Sequence, residues 1–219
     1  MATILCLETA TTNCSVALSV DGSVIAFKED RSSRYSHAEK LHPFIAEVLR
    51  EGNIDNSKLD AIAVSKGPGS YTGLRIGVSA AKGLCYALNI PLLSVPTLAS
   101  LSHQVKDNYD FIVPMLDARR MEVYSAVFNA DHDEIRETRA EILDEDSFSE
   151  FLGKGRVVFL GNGVEKFRGI KQHPDATYLI DAMPSALDMA AIAEQKHKKS
   201  DIEDVAYFEP YYLKDFISG

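Results

Sequence analysis

Cysteine is scarce in this chain. Among 219 residues there are three, Cys6, Cys14 and Cys85, and they form no Cys-x-x-Cys pair. An odd, scattered set excludes a disulfide scaffold. Cys6 and Cys85 lie in apolar runs and read as buried, reduced thiols. No apolar stretch approaches the 18 residues a membrane span needs. The opening Met1-Ala2-Thr3-Ile4-Leu5 runs straight into a strand and an acid at Glu8, unlike a signal peptide. These features predict a cytoplasmic protein with no membrane contact. Low-complexity segments and long linkers are lacking too. So is any excess of basic charge: 23 Lys and Arg stand against 32 Asp and Glu, a net charge of −9. Residues 1–110 hold 10 basic and 11 acidic side chains, residues 111–219 hold 13 and 21. Such a balance does not suit a chain that binds nucleic acid alone. The balance leaves room for a basic partner protein, and for a local basic patch or tRNA contact such as one near Arg31, Arg34 and Lys40.

What is present is ordinary globular material. The apolar fraction is 46% and the charged fraction 25%. A chain of this length buries roughly 70% of its unfolded surface, so it needs neither disulfides nor a metal to hold a core. Its length suits one large domain or two small ones.

The first half reads as β-β-β-α-β-α-β-α. Ile4 to Glu8 is a short apolar run. Val16, Leu18 and Val20 alternate with small or polar residues, as in a half-buried strand. Asp21-Gly22 is a hairpin turn, and Val24 to Lys28 returns as a third strand. A charged loop, Glu29 to Tyr35, leads to Ser36, which with Glu39 forms a capping box. Leu41, Phe44, Ile45, Val48 and Leu49 then make one apolar stripe of a helix. Pro43 inside it removes a backbone hydrogen bond and predicts a bend. Leu59 to Ser65 is a buried strand. A glycine-rich loop, Lys66 to Thr72, follows, and then a helix from Gly73 to Leu88. Leu92 to Val95 is another strand, and Thr97 is placed as the N-cap of a short helix.

The second half repeats the theme in degraded form. Strands are expected at Phe111 to Leu116, Met121 to Phe128, Ile135 to Ile142 and Val157 to Leu160. Helices are expected at Asp144 to Leu152 and Ser185 to Lys198. This order implies an α/β fold with helices packed on mostly parallel sheet. The polar stretch at 104–110 sets the boundary, giving domains 1–105 and 106–219.

Several constellations bear on chemistry. The loop at 67–73 lies between a strand and a helix, where backbone N–H groups can face an anion. Its spacing matches neither a Walker A loop nor the dinucleotide fingerprint, because Gly73 is followed by Leu74-Arg75 and Thr72 occupies the last fingerprint site. A tight strand-to-helix turn explains it as well. Gly73, Gly77, Ala81 and Cys85 recur every fourth residue and form a shallow groove along one helix face. Two interior glycines cost about 1 kcal/mol each relative to alanine. That groove takes either the protein's own backbone or a partner helix. Glu8 and Thr9 end the first strand, and Asp117 stands at the matching place in the second half. With Gly67, Gly69, Gly161 and Gly163 they define a candidate cleft for a magnesium nucleotide. His37 and His42 point apart on their helix, so no metal pair is expected. Gly-x-Ser-x-Gly is absent, Gly69-Ser70-Tyr71-Thr72-Gly73 having its serine one place early.

Leu5 to Val20, Ser36-His37-Ala38-Glu39-Lys40-Leu41, Gly67-Pro68-Gly69-Ser70-Tyr71-Thr72-Gly73-Leu74-Arg75-Ile76-Gly77, Asp117-Ala118-Arg119 with Glu122-Val123-Tyr124, and Gly161-Asn162-Gly163 together resemble the TsaB (YeaZ) family. The resemblance runs in order over nearly the whole chain. It implies two lobes of the ASKHA type, the fold of actin, hexokinase and Hsp70. It further implies an accessory, noncatalytic subunit in threonylcarbamoylation of adenosine in tRNAs that read codons starting with A. The implied partners are a catalytic TsaD-like paralogue, a TsaE-like ATPase and, when alone, a second copy of the chain. Contact with tRNA comes only through the complex. No tightly bound cofactor is expected, with ATP or ADP a candidate at the complex interface. The resemblance puts the shared interface on the helices beginning at His37 and Gly73, here Leu41, Ile45, Gly73, Leu74, Gly77, Val78, Ala81 and Cys85. The family usually has Asp where Glu8 stands. Two other functions compete: an independent ATPase or kinase using the cleft, and a metallopeptidase.

Overall fold

The computed structural model describes residues 1–32 and 36–214. The chain divides into two compact units. The first comprises Met1–Ser100 with Pro184–Tyr212, the second Leu101–Met183 with Leu213–Gly219. The division differs from the expected cut at 105/106, because residues 184–212 return to the first unit. Their apolar residues Ala186, Met189 and Ala193 pack against strands of that unit.

In the first unit the strands are β1 (Thr3–Glu8), β2 (Cys14–Val20), β3 (Ser23–Asp30), β4 (Ala61–Gly67) and β5 (Leu92–Pro96). They form one sheet in the order β3-β2-β1-β4-β5. β1, β2 and β3 pair antiparallel, while β1, β4 and β5 pair parallel. The sheet is therefore mixed rather than mostly parallel. The helices are α1 (His37–Glu51) and α2 (Tyr71–Leu88), followed by the short α3 (Thr97–Ser102).

Both faces of this sheet are covered. On one, Leu5, Leu7, Val16, Leu18, Ile62 and Val64 meet Leu41, Ile45 and Val48 of α1 and Val78, Ala81 and Cys85 of α2. On the other, Ile4, Cys6, Ala61, Ala63, Leu93 and Val95 meet the returning segment. This two-sided cover explains why β2 is buried nearly throughout instead of on alternate residues. All three cysteines are free and buried.

The second unit contains β6 (Phe111–Asp117), β7 (Glu122–Asn129), β8 (Glu134–Ile142), α4 (Ser149–Leu152), β9 (Val157–Leu160), α5 (Val164–Ile170) and β10 (Ala176–Leu179). Its sheet order is β10-β9-β6-β7-β8. Read from the other edge, this is the first sheet again, with antiparallel β6-β7-β8 and parallel β6-β9-β10. The duplication reaches the turns: Gly67 at the end of β4 and Gly161 just after β9 have φ of +111° and +118°. α5 escapes the sequence reading because 7 residues show too little of a helical period, and β10 because it is only half-buried and makes no apolar run. The helix expected at 144–152 shrinks to its last turn. The one expected over 185–198 splits into a 3-10 turn at 186–189 and α6 (Ala190–Lys198).

Two expected caps are replaced. Ser36 precedes α1, but its hydroxyl donates to Asp30 Oδ2 at 2.8 Å instead of accepting from the helix. β3 runs on to Asp30 through the first part of the expected loop, and Ser33, Arg34 and Tyr35 lie outside the described residues. Thr97 is the first residue of α3 and its buried hydroxyl caps nothing. α1 continues through Pro43.

The glycines of α2 separate cleanly by role. A Cβ on Gly73 would stand 2.2 Å from the Thr9 carbonyl oxygen, and one on Gly77 2.2 Å from Thr9 Oγ1. A Cβ on Gly83 would meet nothing within 4 Å. Gly73→Ala should therefore destabilise the isolated chain by about 1–3 kcal/mol through overpacking. Gly83→Ala should leave it unchanged or stabilise it by up to about 1 kcal/mol. Urea unfolding of the two variants checks both signs.

Candidate functional site

The turn after β1 is closed by its own side chains. The Ala10 N–H donates to Glu8 Oε1 at 2.6 Å, and Ser65 Oγ donates to the same oxygen at 2.8 Å. The Asn13 N–H donates to Thr11 Oγ1, and His37 Nε2 lies 2.7 Å from the Thr11 carbonyl oxygen. A carbonyl only accepts, so Nε2 carries the proton. The glycine loop closes from the other side: the Ser70 N–H donates to the Ala10 carbonyl at 2.6 Å. Gly69, Gly73 and Gly77 all permit this approach, since a Cβ at each would overlap Thr9 or Ala10. Ser70 also caps α2 by accepting from the Gly73 N–H.

Glu8 and Thr9 are therefore 0% exposed. Burial pushes the Glu8 carboxyl up to about 7, against the lowering effect of the Ala10 and Ser65 hydrogen bonds. Its Oε2 has no hydrogen-bond partner among the described residues. A carboxyl in this state is at least partly protonated at neutral pH and out of solvent's reach. Its Oε1 serves the turn, and its burial favours the neutral form.

Of the other candidate cleft residues, Gly67 and Gly69 belong to the first unit, and Asp117, Gly161 and Gly163 to the second. Within the second unit the latter three do come together. Asn162 Oδ1 accepts from the Asp117 N–H at 2.9 Å, and the Gly163 N–H donates to the Met115 carbonyl, two residues earlier on the same strand. Asp117 Oδ1 in turn accepts from Lys166 Nζ at 2.8 Å. Its side chain is 43% exposed, yet its charge is already matched.

The expected partner residues are turned inward on their helices. Leu41, Ile45, Gly73, Leu74, Gly77, Val78, Ala81 and Cys85 are all buried in the first unit's own core. The spacing correctly put the small residues on one face, but that face is turned toward the Thr9–Ala10 turn and the sheet. The outward face of α2 is the open one. Tyr71, Thr72, Arg75, Ile76, Ser79, Ala80, Gly83 and Leu84, with His42 of α1, line a shallow cavity of about 710 Å³. At one end Arg75 lies over the Tyr71 ring and donates to Tyr212 Oη. A second run of small residues, Ser79, Ala80 and Gly83, gave the signal in the sequence. The stronger 73/77/81/85 pattern masked it.

The chain and its fold are similar to known proteins. EutJ from Carboxydothermus hydrogenoformans shares the fold, with a TM-score of 0.51 at 12% identity over 87% of this chain and 89% of that one. The chain has an ASKHA-type fold of two duplicated α/β units. Residues 31–215 match the family model described as TsaD, tRNA N6-adenosine threonylcarbamoyltransferase. The chain is 31% identical to the tRNA threonylcarbamoyladenosine biosynthesis protein TsaB of Escherichia coli (strain K12), covering 98% of this chain and 96% of that one. It is 29% identical to the TsaB of Haemophilus influenzae (strain ATCC 51907 / DSM 11121 / KW20 / Rd), covering 99% and 95%. A crystal structure described as an uncharacterized protein with similarity to peptidase YEAZ from Pseudomonas aeruginosa superposes with a TM-score of 0.87. It is 27% identical and covers 98% of this chain and all of the other. The chain belongs to the TsaB (YeaZ) family.

The state of Glu8 has a pH signature. Its folded value, about 7, lies above the ordinary 4.5. Its contribution to stability is therefore full below 4.5 and is lost as pH rises to about 7. At about 1.4 kcal/mol per unit, the loss is of order 3 kcal/mol. The stability difference between wild type and Glu8→Gln should shift against the wild type by that order between pH 4.5 and 7.5, as read by denaturant titration. An unchanging difference would show that Glu8 is ionised in the folded protein.

Proposed function

We propose that this chain acts in the biosynthesis of threonylcarbamoyladenosine in tRNA as a noncatalytic subunit that holds a TsaD-like catalytic paralogue. A TsaE-like ATPase joins that assembly, and the chain pairs with a second copy of itself when the paralogue is absent. Membership in the TsaB family supports the pathway. The observation that carries the docking role is the outward face of α1 and α2, with its cavity of about 710 Å³.

Gly83 is the pointed feature of that face. It lies inside an 18-residue helix, exposed, with nothing of its own chain near its missing Cβ. A glycine there lowers helix stability by about 1 kcal/mol relative to alanine with no return from internal packing. A partner backbone that lies close over α2 is the return. Ile76, Ala80 and Leu84 supply the apolar centre that such an interface needs, and Arg75 and Tyr71 supply its aromatic and guanidinium anchors. ATP or ADP, in this reading, binds only at an interface completed by the paralogue.

Size-exclusion chromatography with light scattering, on the chain alone and mixed with the TsaD-like protein of its organism, tests the proposal. A dimer that converts to a mixed complex supports it. Gly83→Arg should abolish both assemblies while urea unfolding of the isolated chain stays near wild type. Gly77→Arg cannot serve, since that site is internal and the variant would disrupt the first unit. In cells, depletion of the chain should lower threonylcarbamoyladenosine in digested tRNA. Wild type should restore it and Gly83→Arg should not. Normal modification in depleted cells would reject the pathway, and an intact complex with Gly83→Arg would reject the surface.

A further inference from the structure

The tip of the β6–β7 hairpin holds a pair of residues that the role above does not use. Arg119 and Arg120 have φ of +70° and +50°. Two consecutive residues are thus held in the left-handed region, where Gly or Asn fits with little strain. Most other non-glycine residues with such φ among the described residues are Asp, Asn, His or Ser. Two adjacent arginines there are out of keeping with local preference. Strain that persists at a defined place points to use of the side chains.

The surroundings fix the tip and leave it positive. Asp117 Oδ1 accepts from the Arg119 N–H at 2.6 Å, and the Ala118 N–H donates to the Glu122 carbonyl. The two acids at the base are matched by two lysines, Asp117 by Lys166 and Glu122 by Lys214. Arg119 and Arg120 are exposed and have no acidic partner among the described residues. The tip therefore carries an excess of two positive charges in a unit with 11 basic and 17 acidic residues. Such a repulsive background disfavours loose adhesion of a polyanion and confines attraction to one point.

We propose that Arg119 and Arg120 bind backbone phosphates of RNA, giving this chain a direct contact with the tRNA handled by the complex. The inference rests on the role proposed above. Guanidinium groups on a preset turn match phosphate oxygens, and such contacts position an RNA without reading its sequence.

The test uses the complex of this chain with the TsaD-like protein and an unmodified tRNA transcript. Binding is followed by fluorescence anisotropy across a salt series. Replacing the pair by Arg119→Asn/Arg120→Gly suits the turn, so the melting temperature should stay level or rise. Affinity should fall tenfold or more, and the slope of log K against log salt should flatten by about 1.5, since each phosphate contact contributes about 0.7–0.9. Arg119→Lys/Arg120→Lys should recover most of the slope. An unchanged slope in a variant that still pairs overturns the inference and leaves the scaffold role intact. Loss of pairing with an unchanged slope also overturns it, and makes the tip a protein contact. If the wild-type chain does not pair at all, the scaffold role falls. The same series on the chain alone then decides the tip: a flattened slope supports it, an unchanged one overturns it.

Discussion

The first unit depends on one close approach: the Thr9–Ala10 turn against the glycines that open α2. Three positions, Gly69, Gly73 and Gly77, lack a Cβ where one would overlap that turn. The contact fixes how α2 lies on the sheet and which face it buries. It also seals Glu8 and Thr9 from solvent. His37, hydrogen bonded to Thr11, ties the start of α1 to the same turn. Helix placement, the inner core and the outward groove thus follow from one set of backbone contacts. The groove exists because α2 is pinned by its small inner face, so that its other face is left uncovered.

Much of this was legible in the sequence. The order of elements along the chain, the hairpin at Asp21-Gly22, both long helices and the β-β-β-α-β-α-β-α pattern with its degraded second copy follow from periodicity and turn residues, and the sheets bear the duplication out. What spacing cannot supply is direction. Residues 73, 77, 81 and 85 share a face in any helix, but only the tertiary contact says whether that face looks inward. α2 made the choice hard because Ser79, Ala80 and Gly83 give its opposite side small residues too. The caps failed for a related reason. Ser36 has the right neighbours for a capping box, yet Asp30 from β3 offers its hydroxyl a charged acceptor, and charge-assisted bonds are about twice as strong as neutral ones.

The second unit shows what a repeat keeps when its helices shrink. α4 and α5 have 4 and 7 residues where α1 and α2 have 15 and 18. Sheet order and the left-handed glycine at the end of the second parallel strand, β4 or β9, survive. The lost helical cover is offset by aromatic bulk: Phe148, Phe159 and Phe167 pack ring to ring at 4.8–5.5 Å. Short helices carry too few residues for a 3.6-residue period to show, which is why α5 is invisible to pattern reading while the buried strands are not.

Glu8 brings the two halves of the functional reading together. An acid at the end of the first strand suggests a ligand for magnesium, and the sequence alone leaves that role open. In the fold its Oε1 is spent on Ala10 and Ser65, and its burial favours the neutral form. For a nucleotide to use it, the turn would have to open, breaking those bonds and the Ser70–Ala10 bond, and drawing Gly73 and Gly77 away from Thr9. That motion would unseat α2 and with it the outward groove. In the proposed docking role the closed turn is what holds the outward face of α2 in place.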